Sequence, residues 1–263
     1  MNPSVEYDTF ADIYEVWTAG APVTARNLPF YVELYRETPG LAVELGVGNG
    51  RIAVEAAKSG KSMAGVDSSA EMLRHCRARA QAAGVLDRLT LIQADFRDFT
   101  LPQPAELITI PFHTIGHLVT LDDKRAGLRR IYSQLAPGGR LVFDLFVFNP
   151  EAASRHGGIT LRDEYADPKT GHDILLWVTT RYDMAAQTMR IVAWTDELEA
   201  DGVVVRRQYR RLSFSWLEPA QTRALLEEAG FEIEALYGNF DHSPFGADSP
   251  EQIWFARRAP SPV

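Results

Sequence analysis

Residues 43–51 read Val43-Glu44-Leu45-Gly46-Val47-Gly48-Asn49-Gly50-Arg51. An apolar strand, residues 41–46, runs into a turn holding three glycines, and an alanine-rich helix follows to Lys58. Glycine lets the backbone turn tightly and lets a ligand approach it closely. The start of the helix offers backbone N–H groups that have no partner within it. In an open α/β sheet, this is where ligands bind. The spacing is GxGxG, not GxGxxG, which argues against a dinucleotide pyrophosphate.

Outward from this turn, strands and helices alternate. Strands are expected at 63–67, 89–93, 107–111 and 141–146, with helices at 68–83 and 122–135, the latter stopped by Pro137-Gly138-Gly139. Such alternation predicts a mostly parallel sheet with helices on both faces. Residues 7–36 read as helical with a break at Gly20-Ala21-Pro22. After Pro150 the period becomes two. Runs at 174–182, 188–197 and 203–216, with an Asp201-Gly202 turn, predict an antiparallel insert of three strands. A helix at 218–229 and strands at 231–237 and 252–256 complete the chain.

Two further sites stand at strand ends. Asp67 follows Gly46 by 21 residues, a spacing that suits a carboxylate accepting ribose hydroxyls, or equally a helix N-cap. Met72, one turn on, suits an adenine face or the core. Ala94-Asp95-Phe96 follows the third strand. Asp95 there suits an adenine amino group, or a simple turn.

Composition sets the outer limits. The 263 residues suffice for one large α/β domain with an insertion. A formal charge of −8 lacks the basic field of sequence-independent nucleic-acid binding. The single cysteine, Cys76, excludes an intramolecular disulfide and a cysteine-based metal cluster. The opening MNPSVEYDTF has neither a basic start nor an apolar run, and no 18 apolar residues stand together, so a cytoplasmic location without membrane contact is expected.

Taken together, VELGVGNGR, GVDSSAEML, QADFRDF, ELITIPFHTIGHL and LAPGGRLVFDLF resemble the class I S-adenosylmethionine (SAM)-dependent methyltransferases. The resemblance covers most of the chain. It implies a seven-stranded Rossmann-like α/β fold with an antiparallel β insert after strand five. It implies SAM as cofactor and S-adenosylhomocysteine as product. The glycine turn, Gly46, Gly48 and Gly50 with Arg51, would hold the methionyl part. Glu44 would contact it directly or through water. Asp67 with Ser68 would hold the ribose, and Ala94, Asp95 and Phe96, with Met72 over one face, the adenine. Pro111 closes the set at the end of strand four.

YDTFADIYEVW, the insert and YGNFDHSPFGADSPEQIWFARR are similar to methyltransferases of antibiotic sugars and to glycine-type N-methyltransferases. This implies four regions: a helical lid at 1–36, a SAM-binding core at 37–154, an insert at 155–216 roofing the acceptor site, and a C-terminal helix with two core strands at 217–263.

A sulfonium methyl is already electrophilic, so the protein must chiefly align a nucleophile and exclude water. The stretch after strand four, Pro111-Phe112-His113-Thr114-Ile115-Gly116-His117, passes the reactive centre. It lacks the Asp/Asn-Pro-Pro-aromatic motif of amino-group methyltransferases acting on nucleobases or glutamine. It carries no carboxylate for a divalent metal, and no third ligand joins its two histidines, so no metal is expected. His117 and His113 are the candidate general bases, or else buried, satisfied imidazoles. Tyr14 resembles a lid tyrosine near the cofactor, and Tyr7 and Trp17 suit the same cleft. Arg206 and Arg210 share one face of the insert, and Arg207 and Arg211 the other. They suit an acidic substrate or, more simply, partners such as Asp196 and Glu197. Trp177, Trp194, Tyr209, Phe214 and Trp216 suit either a pocket for the acceptor or the insert's own core.

The function these readings support is metal-independent methyl transfer from SAM to a small-molecule acceptor, at N or O, by a monomer or homodimer. The alternatives are a SAM-binding protein without catalysis and a methyltransferase acting on a macromolecule.

Overall fold

The computed structural model describes residues 3–155 and 158–260. Parts of the expected lid, insert and C-terminal region, namely residues 1, 2, 156, 157 and 261–263, lie outside the described residues.

The first core strands are short and apolar: β1 (Ala42–Leu45), β2 (Met63–Asp67), β3 (Leu89–Gln93) and β4 (Ala105–Ile110). Every residue of β1 and β2 is buried, as befits parallel strands covered on both faces. They join β5 (Leu135–Phe146), β10 (Phe231–Tyr237) and β11 (Glu251–Arg258) in one seven-stranded sheet ordered β10-β11-β5-β4-β1-β2-β3. Only β11 runs against its neighbours. On one face, α3 (Pro22–Glu37), α4 (Ala53–Lys58) and α5 (Ala70–Ala82) bury Tyr31, Tyr35, Val54 and Cys76. On the other, α6 (Leu121–Gln134) and α8 (Pro219–Glu228) bury Leu128, Ile131, Leu225 and Leu226. Ser69 caps α5 by accepting from the Met72 amide, and Thr120 caps α6 by accepting from Asp123.

Strand β5 starts six residues earlier than the sequence suggests. Ala105 already pairs with Leu135, and the register then shifts to Leu107 with Arg140. The Pro137–Gly139 turn is therefore a bulge within a pairing strand. A Cβ on Gly139 would sit 2.8 Å from the Ala105 carbonyl.

The N-terminal segment forms α1 (Pro3–Phe10) and α2 (Tyr14–Ala19) ahead of α3, with an extra break at residues 11–13. A short helix α7 (Pro150–Arg155) precedes the insert, which has four antiparallel strands rather than three: β6 (Thr160–Ala166), β7 (Asp173–Asp183), β8 (Thr188–Leu198) and β9 (Val204–Ser215). The unforeseen strand, β6, reads TLRDEYA and is exposed at six of its seven positions, so it carries no apolar alternation to find. One face of this second sheet packs Leu176, Ala193 and Leu212 onto Phe10 and Ile13. Among the described residues, no helix is long and apolar enough to cross a membrane.

Candidate active site

The carboxyl ends of β1, β2 and β4 face the N-terminal helices across a small cavity. Tyr7, Tyr14, Gly46, Gly48, Asp67, Ser68, Phe96, Thr114 and His117 line it. Its volume is about 50 Å³, far below the ~300 Å³ or more of typical ligand sites. A roomier concavity, about 330 Å³ around Pro39, Glu106 and Gly139, lies at the opposite end of the sheet, away from where ligands bind in such folds.

All three turn glycines are left-handed, with φ of 70°, 53° and 77°. Their surroundings differ. A Cβ on Gly46 would run into Thr114 Cγ2, and one on Gly48 would lie 3.9 Å from the Tyr14 hydroxyl. Both face the cavity. A Cβ on Gly50 would instead stand 2.6 Å from Cys76 Sγ, so this glycine serves the packing of α4 on α5.

Asp67 ends β2, buried. Its Oδ2 accepts from the Gly48 amide at 2.8 Å and its Oδ1 from the Ser69 amide at 2.9 Å. Burial raises its pKa to about 6, against the pull of these amides and with the Asp8 carboxylate adding to the rise. Asp8, on α1, accepts from Ser69 Oγ (2.5 Å) and the Glu71 amide (3.3 Å), docking α1 on the first turn of α5. Met72 is buried in that turn outside the cavity lining.

Glu44 is buried on β1, and the Tyr35 hydroxyl donates to its Oε2 at 3.2 Å. Burial raises its pKa to about 8, while nearby Arg51 works to lower it. Arg51 donates to the Thr24 carbonyl (3.1 Å) and Asn27 Oδ1 (2.9 Å), beneath the Phe112 ring. Among the described residues, Asn27 Nδ2 and Asn49 Oδ1 are buried without a hydrogen-bond partner. One is a donor and one an acceptor, and buried polar groups normally have partners. The neighbourhood of the turn thus fits a zwitterionic group, whose carboxylate takes donors and whose ammonium takes acceptors.

Phe96 faces the cavity, but the Asp95 carboxylate lies outside its lining, in the fork of Arg97 at 2.7 and 2.8 Å. Burial opposes the effect, yet these hydrogen bonds hold Asp95 below the usual carboxylate range. Ala94 donates its amide to the Asp67 carbonyl, and Pro111 is buried, its carbonyl accepting from Thr114 Oγ1.

The two histidines part company. His117 Nδ1 lies 3.2 Å from the Ser213 carbonyl, which can only accept, so Nδ1 carries the proton. Nε2 is then the acceptor, and the Tyr7 hydroxyl donates to it at 2.6 Å. Burial lowers the His117 pKa to about 3, and Lys124 adds to the effect. Burial also raises Tyr14 to about 12. His113 turns away from the cavity lining to Glu251 Oε2, 2.8 Å, and Asp144 Oδ2, 3.5 Å. The three side chains bring ligand atoms within 4.8 Å of one another, a grouping that sequence spacing did not reveal.

Of the other expected residues, Trp17 packs on Phe10 and under Arg162 rather than in the cavity. Arg207 pairs with Asp196, while buried Arg210 reaches the N-terminal segment, donating to Asp12 Oδ2 at 2.6 Å and the Thr9 carbonyl at 2.8 Å. Phe214 of β9 lies tilted against His117, with ring centres 3.9 Å apart.

Residues 42–139 match a family described as a methyltransferase domain. A cypemycin N-terminal methyltransferase of a Streptomyces species is 26% identical over 254 residues, 96% of this chain and 97% of its own. The structure of the CcbJ methyltransferase from Streptomyces caelestis is 25% identical with a TM-score of 0.79, over 98% of this chain and 100% of that one. SAM-bound CalS10 from Micromonospora echinaspora, an amino pentose methyltransferase, shares the fold at a TM-score of 0.67 and 20% identity, over 94% and 97% of the two chains. Residues 42–139 thus form a methyltransferase domain on a sheet with the class I SAM-dependent methyltransferase fold, and SAM is its cofactor.

Proposed function

We propose that this enzyme methylates the nitrogen of an amine, on a small molecule or at a free peptide N-terminus. The observation that carries this reading is the fixed tautomer of His117, whose Nε2 lone pair faces the cavity through Tyr7. The amine acceptor of the cypemycin relative supports it.

In this reading, Gly46 and Gly48 give the cofactor its approach. Arg51, Asn27, Asn49 and Glu44 take its amino-acid end, Asp67 and Ser68 its ribose, and Phe96 its adenine. SAM supplies an electrophilic methyl on sulfur, and the sulfur keeps the bonding pair when the methyl leaves. The chain's own part is alignment. A neutral amine donates one N–H to His117 Nε2 or to the Tyr7 hydroxyl, and its lone pair is thereby aimed at the methyl. An imidazole held near pKa 3 is a poor proton acceptor but a good directional one. His117 therefore orients, and the new ammonium loses its proton to water on release. Tyr14 closes the same space, and no step calls on a metal ion.

The helices α1 and α2 act as a lid, and the second sheet as a roof that meets them through Arg210 and Phe214. A SAM-sized ligand enters only when α1 lifts, because the cavity beneath it is so small. The test is incubation with SAM and matched panels of amines and alcohols, including peptides with free and blocked N-termini, with mass detection of methylated product. Transfer to amines alone supports the proposal. Transfer only to alcohols, or to blocked peptides, refutes it.

A further inference from the structure

The loop after β4 is left-handed at two successive non-glycine residues, Phe112 (φ 62°) and His113 (φ 60°). Each such residue costs about 1–2 kcal/mol, so the surroundings must hold the loop in place. Asp144 of β5 does so from below. Its Oδ1 accepts from the Phe112 amide and its Oδ2 from the His113 amide, both at 2.9 Å, and the Tyr31 hydroxyl donates to Oδ1 at 2.5 Å. From the side, Glu251 of β11 meets the His113 imidazole at 2.8 Å. Arg26 of α3 stands behind, 3.5 Å from Glu251 and donating to Asn239 at 2.8 Å.

The charged and titratable groups here are thus Arg26 and Tyr31 from α3, Asp144 from β5 and Glu251 from β11. Two carboxylates face one guanidinium. A protonated His113 brings the cluster to neutrality, whereas a neutral one leaves an excess negative charge in a buried place. A divalent cation would overshoot, giving three positive charges against two negative. Asp144 already accepts three hydrogen bonds, so it has little left for a metal.

We propose that His113 is a positioning residue: gripped by Glu251 and Asp144, it clasps β4, β5 and β11 together and so sets the loop that carries Thr114 and His117 into the cavity. The proposal rests on the cavity being the methyl-transfer site, and its test reads binding and protonation without any acceptor. Burial opposes protonation of His113, but Glu251 and Asp144 outweigh it and raise its pKa. A histidine raised above its unfolded value stabilises the fold fully below that value, and the gain is lost as pH rises through the folded one.

The experiment is a double-mutant cycle of His113→Gln and Glu251→Gln in the full chain, read as Tm near pH 6 and near pH 9. The clasp predicts a coupling of about 3 °C at the lower pH that shrinks at the higher, where a neutral imidazole keeps at most its hydrogen bond to Glu251. It also predicts that each variant binds S-adenosylhomocysteine about fivefold more weakly near pH 6, with no further loss in the double variant. In histidine-15N-labelled wild-type protein, both His113 ring nitrogens carry protons near pH 6. A coupling that is absent or unchanged with pH, unaltered S-adenosylhomocysteine affinity, or a singly protonated His113 overturns the proposal. So does stoichiometric zinc or manganese in the purified protein that is lost in His113→Gln. If the variants do not fold, the wild-type spectrum alone decides.

Discussion

The hydroxyl of Tyr7 donates to Nε2 of His117 at 2.6 Å across 110 positions of sequence, joining the N-terminal helix to the loop after β4. The pair closes the cavity, and in the proposed reaction the arriving amine must break into it. Tyr7→Phe removes the donor but keeps the ring, which stands edge-on to His117 at 4.8 Å. Turnover should fall by about tenfold, the order of one hydrogen bond, with S-adenosylhomocysteine affinity unchanged. A single-turnover assay alongside calorimetry checks both outcomes.

Glu44 carries a cost to the fold that the cofactor contact proposed for it would explain. Its pKa rises to about 8 on burial, so the folded protein holds a proton there that the unfolded chain has lost. Stability of the ligand-free enzyme therefore declines as pH rises from the unfolded value through about 8. Glu44→Gln should gain a few degrees of Tm over wild type at about pH 8 and little at about pH 5. The same change should weaken cofactor binding by about 1–3 kcal/mol. Thermal melts across pH, with calorimetry, test the pair of effects together.

The turn glycines separate into two kinds. Gly50→Ala places a methyl against Cys76 Sγ in a left-handed residue, and should cost about 2–4 kcal/mol of stability from overpacking and strain. Gly48→Ala has room and should cost only about 1 kcal/mol, yet its methyl intrudes on the cavity and should reduce cofactor affinity more than tenfold. Denaturant titrations and binding isotherms on the two variants should give opposite rankings.

These contrasts show why the site was only partly legible in the sequence. Gly46, Asp67 and Phe96 stand at or just past the ends of three successive strands, so local spacing finds them. Asp95 occupies its expected place, but Arg97, two residues on, claims its carboxylate. Asp144 and Glu251 reach the loop across 31 and 138 positions, from strands whose own patterns speak only of core packing. The left-handed turn at Phe112 and His113 has no glycine to announce it. Strand β6 stayed hidden because its side chains point mostly to solvent on an edge strand. Arg210 still bonds Thr195 on the insert, but its carboxylate partner is Asp12 and not an acid of the insert, a choice made by the docking of the N-terminal helices.

That docking should set the rate of cofactor exchange. Asp8 ties α1 to the first turn of α5 through Ser69 and Glu71. Asp8→Ala should speed S-adenosylhomocysteine release by about tenfold while altering Tm little, since the contact is a cap at a half-exposed edge. Stopped-flow dissociation measures this. An unchanged rate would mean that α1 is no lid.

The most direct test of the account is the pH dependence of the single-turnover rate with two acceptors whose amines differ in pKa. Alignment by a neutral His117 predicts that the rate rises with pH until each amine is deprotonated, so the break moves with the acceptor. His117→Asn should then lower the plateau without moving the break. A break fixed at one pH for both acceptors, and abolished in His117→Asn, would instead show a histidine taking the proton, and would contradict the central claim.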